Sequence, residues 1–95
     1  SCVFLPAVLD WNLSVNADKQ KQIAAALGAE NMSAGDAVRR LVADLGLPGT
    51  LSAVGADDAL KQQISEYAMA HPVVMANPRA ITSPQDIFEI MELAA

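Results

Sequence analysis

The sequence is short of nearly every residue type that carries chemistry. It has one cysteine, Cys2, and one histidine, His71. A lone cysteine excludes an internal disulfide and fits a reducing compartment, so a cytoplasmic location is expected. Cys2 lies in the apolar run Cys2-Val3-Phe4-Leu5 and reads as a small buried hydrophobe. No His-x-x-x-His pair, no Cys-x-x-Cys and no carboxylate cluster stands at ligand spacing. No glycine-rich turn leads from a strand into a helix, so no phosphate cradle is expected. Serine, histidine and aspartate are present, but nothing joins them into a nucleophile, base and orienter. No catalytic, cofactor-binding or metal-binding residue is therefore assigned to this chain.

Positive charge is also scarce. Six Lys and Arg stand against eleven Asp and Glu, for a formal net charge of −5, and only Arg39-Arg40 are adjacent. A nucleic-acid partner, which wants a basic face, is disfavoured. No apolar run approaches the length of a bilayer span, and no basic segment precedes the apolar start, so neither membrane nor signal peptide is expected. Strand-type alternation is missing too, which points to an all-α fold.

What is abundant is apolar residue, 53% of 95 positions. That length makes one small domain, with limited interior to hide such a surplus. Burial against something beyond the chain is expected.

About five helices with short connections follow from the spacing. The first segment, from Ser1 to about Asn12, is apolar nearly all round, as a buried helix is; a strand competes for Cys2 to Leu5. Pro6 suits a helix that restarts there, and Asp10 and Trp11 read as a solvated cap and a buried anchor. A second helix opens on Asn16 as N-cap, buries Ile23, Ala24 and Leu27, and ends at Gly28. A third starts at Ser33 with Asp36 in its first turn. It carries the stripe Ala34, Ala37, Val38, Leu41, Val42 and Leu45, then stops at Gly46 and Pro48. A fourth runs from Asp57 or Asp58 to about His71, with Leu60, Ile64, Tyr67 and Ala68 inward. His71 itself reads as a helix C-terminal residue favoured by the backbone dipole. Pro72 to Thr82 reads as an irregular segment with an apolar middle, Val73-Val74-Met75. Apolar loops are often pressed against a cleft or a core. The last helix opens on Ser83 and Pro84, with Asp86 supporting its start and Ile87, Ile90, Met91 and Ala94 in one stripe. Glu89 and Glu92 read as a solvated face.

Two stretches carry a resemblance: the opening, SCVFLPAVLDWN, and the tail, ANPRAITSPQDIFEIMELAA. With the middle stretch MSAGDAVRRLVADLGLPGTLSAVG, and in this order, they resemble the C-terminal end of an iron-containing (group III) alcohol dehydrogenase. The resemblance implies a larger enzyme. Its N-terminal α/β domain would bind NAD or NADP, and its helical C-terminal domain would hold a divalent metal, Fe(2+) or Zn(2+), through one aspartate and three histidines. The metal would polarise an alcohol or carbonyl oxygen while a hydride passes to or from the nicotinamide. By the same resemblance the last metal histidine precedes Ser1, and His71 matches no ligand. Residues 1–95 would then be an incomplete C-terminal helical piece, inactive alone, whose partners are the rest of its own chain and, in an oligomer, a second copy. The segment from Pro72 to Arg79 would approach the substrate, which makes Val73, Val74 and Asn77 substrate-pocket candidates. Related maleylacetate reductases share this architecture. From the residues alone, a free-standing helical module that binds another protein is the competing expectation.

Overall fold

The computed structural model describes residues 2–95, and among them it holds five helices and no strand. They are α1 (Phe4–Ala26), α2 (Ala34–Asp44), α3 (Asp58–Met69), α4 (Pro72–Met75) and α5 (Pro84–Leu93). Among the described residues no helix is long and apolar enough to cross a membrane.

The first two expected helices are one. α1 runs through Asn16, whose φ of −140° and ψ of 34° break the helical path without ending it. Asn16 therefore marks a kink, not a start. The buried amide of Gln20 spans the kink, donating to the Leu9 carbonyl at 2.6 Å and to Asn16 Oδ1 at 2.8 Å. Those bonds replace part of what the broken ladder loses, as kinks in long helices require. The strand alternative at the N-terminus falls, since Phe4 and Leu5 are already helical.

The expected stops hold. Gly28 and Gly46 follow α1 and α2 with φ of 70° and 71°, the left-handed geometry in which glycine carries no Cβ penalty. Ser33 caps α2, its Oγ accepting the Asp36 N–H at 3.1 Å. α2 packs against α1 and against no other helix. Its buried face is accordingly narrow: Ala34, Gly35, Ala37, Val38 and Val42. Leu41 and Leu45, expected inside, stay exposed because no second helix reaches their flank.

α3 is turned differently from expectation. Asp57 caps it through the Leu60 N–H at 2.8 Å. Ile64, Ala68 and Met69 pack on the core and Ser65 is fully buried, whereas Leu60 and Tyr67 face outward. α5 behaves as expected: Ile87, Ile90, Met91 and Ala94 join Ala7 and Trp11 of α1, and Leu51, in one core. Leu51 is held there by its N–H, which donates to the Ala94 carbonyl at 2.8 Å. Ser83 occupies the N-cap position of α5 but makes no side-chain cap bond. Asp86 instead ties down the residue before the cap, accepting from the Thr82 N–H at 2.9 Å and the Thr82 hydroxyl at 3.3 Å.

Candidate functional site

The segment expected to be irregular begins with a helical turn. His71 takes the extended backbone that a following proline favours, and Pro72 opens α4 at a position where its missing N–H costs nothing. His71 Nδ1 accepts the Val73 N–H at 3.2 Å, so the histidine is the N-cap of α4 and not the last residue of α3. Its ring lies 5.8 Å from that of Tyr67.

α4 forms one side of an apolar groove of about 330 Å³. Phe4 and Val8 of α1 line it as well. Ile64 and Ala68 of α3 and Ile87 and Ile90 of α5 complete it. All three candidates named from the sequence, Val73, Val74 and Asn77, line this groove. Val74 packs against the core, and Val73 is 75% exposed at the rim. Past Val73 the surface continues into a shallower depression bounded by Gln63, Tyr67 and His71.

Asn77 is the one polar lining residue, and its amide is engaged. Its Nδ2 donates to Asn12 Oδ1 at 2.6 Å and to the Arg79 carbonyl at 2.7 Å, while its Oδ1 accepts from Asn12 Nδ2 at 3.0 Å. Arg79 in turn donates to the Trp11 carbonyl at 3.0 Å and lies 4.0 Å over the Trp11 ring. Trp11 Nε1 donates to Glu89 Oε2 at 3.3 Å, so Glu89 is more than a solvated charge. Asp10, expected as an exposed cap, sits inside α1 and pairs with Arg39 at 2.6 Å. Burial pulls the Arg39 guanidinium down, but the hydrogen bonds and charges of Asp10 and Asp36 outweigh it and hold the group above its ordinary range. Neither Asn12 nor Arg79 stood out in the sequence as a site residue.

The groove can grip an apolar chain, but it offers no acid, base or ligand set. Among the described residues no group of three or more His, Cys, Asp or Glu side chains could hold a metal ion. Cys2 is half-buried. The residues present thus do not fit a metal centre.

A family model described as "Fe-containing alcohol dehydrogenase family, C-terminal" matches residues 1–95. No curated protein and no solved structure matches the chain.

Proposed function

The chain belongs to the Fe-containing alcohol dehydrogenase family, in its C-terminal part, and on that premise we propose that it is the helical substrate-side wall of a metal-dependent, NAD(P)-linked dehydrogenase. The reaction is the interconversion of an alcohol with an aldehyde or ketone by hydride transfer. The metal, Fe(2+) or Zn(2+), and the nicotinamide are bound by residues outside these 95, and the segment alone is inactive. One observation carries the proposal: the residues that the family resemblance puts near substrate, Val73, Val74 and Asn77, line a single apolar groove. An apolar wall of this kind sorts substrates by size and shape, while the bond-making groups come from elsewhere.

Val73 is the residue on which to test it. Because it is 75% exposed, replacing it disturbs no core contact. In the full-length enzyme Val73→Phe lowers kcat/KM for bulky alcohols more than for small ones, and Val73→Ala does the reverse. The expected spread is about tenfold or more across the series, the scale on which one methylene group is read in an apolar pocket. Metal content stays constant in both variants. A loss by the same factor for every alcohol would mean that the groove does not face substrate.

A further inference from the structure

Four residues do not hold a helical turn by themselves, since nucleating a helix is unfavourable. α4 packs on α3 and on no other helix. The placement of Val73 and Val74 therefore depends on the packing on α3 and under Val74 and on what grips the chain at either side. Before α4 the grip is His71 and Pro72. After it, the grip is the reciprocal amide pair of Asn77 with Asn12, backed by Arg79 on Trp11. Asn12 and Trp11 are both buried on α1, the helix that also lines the groove through Phe4 and Val8.

We propose that Asn12 and Arg79 are positioning residues that set the width of this groove by fixing α4 relative to α1. Neither side chain lines the groove itself. A buried apolar pair would fill the same space without desolvating two amides. A reciprocal amide pair adds register, because both cross-bonds form in one relative placement and are lost in others. Arg79 adds a second constraint, since a planar guanidinium that both stacks on a ring and bonds a carbonyl is fixed in direction as well as distance. The inference rests on the groove being the substrate wall.

The test uses the full-length enzyme that contains this chain. Asn12→Asp keeps the shape but sets an acceptor against Asn77 Oδ1. Arg79→Lys keeps the charge but cannot both stack on Trp11 and reach its carbonyl. KM and kcat are measured separately for primary alcohols from ethanol to octanol, with metal content and melting temperature alongside. In both variants KM for octanol is expected to rise about tenfold, while kcat for ethanol changes by less than about threefold and metal is retained. Equal loss for all alcohols, or an unshifted profile in Arg79→Lys, overturns the proposal. Should Asn12→Asp fail to fold, Arg79→Lys decides alone. Val73→Phe is run in parallel. If its profile is flat, the substrate wall and the positioning role fall together. If it shifts while Arg79→Lys does not, only the positioning role falls.

Discussion

At the scale of single residues, one glycine decides how closely α1 and α2 meet. Gly35 is buried in the first turn of α2, and a Cβ there would overlap the Asp10 carboxylate and stand 3.1 Å from the Pro6 carbonyl. Alanine in place of a helical glycine ordinarily gains up to about 1 kcal/mol. Here Asp10 would have to leave Arg39, and the backbone at Pro6 cannot give way cheaply. Overpacking of this kind costs roughly 1–3 kcal/mol, so the expected net effect of Gly35→Ala is destabilising. In an Asp10→Ala background the clash is largely gone, and Gly35→Ala should become neutral or stabilising. Urea unfolding of the four combinations measures this; a gain in stability from Gly35→Ala alone would refute it. None of this is visible in the sequence, where Gly35 is an unremarked residue between a cap and its partner. Asp10 could not be read correctly either, because its partner lies 29 positions away. Asn16 was legible as a break in the helix, but its sequence signal is the same for a start and for a kink.

At the scale of elements, caps and stops were legible because they depend on neighbours a few residues apart. Ser33, Gly28, Gly46 and Pro84 stand where the local pattern puts them. Faces were harder, since which side of a helix is buried depends on which helix lies beside it. α3 shows this: Tyr67 fits the apolar spacing yet is 73% exposed, and Ser65 does not fit it yet is fully buried, its Oγ donating to the Gln62 carbonyl at 2.8 Å. The groove was half-legible. Its valines were marked by an apolar run between prolines, while its anchor on Asn12 and Trp11 needed the fold. The start of α5 yields a prediction about pH. Hydrogen bonding from the Thr82 backbone, more than any other cause, holds the Asp86 carboxyl below its ordinary range. A lowered folded-state value means that Asp86 stabilises the helix start fully above the ordinary carboxylate range. That contribution is lost as pH falls through the lowered value. In an NMR titration the Asp86 carboxyl should therefore titrate below an unstructured aspartate, and protection of the Thr82 amide, taken relative to its intrinsic exchange, should fall over the same interval. Asp86→Asn should remove the pH dependence of that protection. A titration at or above the unstructured value would show that the cap does not form.

For the molecule as a whole, the sequence's apolar surplus is left exposed on several helices. Trp11, expected to need cover from outside, is 4% exposed and covered by the chain itself, and Phe4 and Val8 pack on the same core. The uncovered groups include Leu5, Leu13 and Val15 on α1, Leu41, Leu45 and Leu47 around α2, and Leu60, Tyr67 and Val73 on α3 and α4. The backbone measures 37 × 29 × 17 Å, and the short dimension has room for about two helix layers, their axes about 8–10 Å apart. In two layers every helix keeps an outer face open to solvent. The accessible surface is 5928 Å², against about 5200 Å² for a typical folded monomer of this mass. The excess is close to the area that one partner contributes to a standard protein interface, about 800 Å². The 95-residue chain by itself is therefore expected to associate with rising concentration, as large exposed apolar patches do. Light scattering over a concentration series measures this. Trp11 emission should stay that of a buried indole throughout, because its cover is internal. Replacing Leu41, Leu45 and Tyr67 together by polar residues should suppress association without lowering the melting temperature, since none of the three contributes to the core. A monodisperse monomer at every concentration would show that these exposed side chains need no cover, and would remove the surface argument for a larger parent assembly.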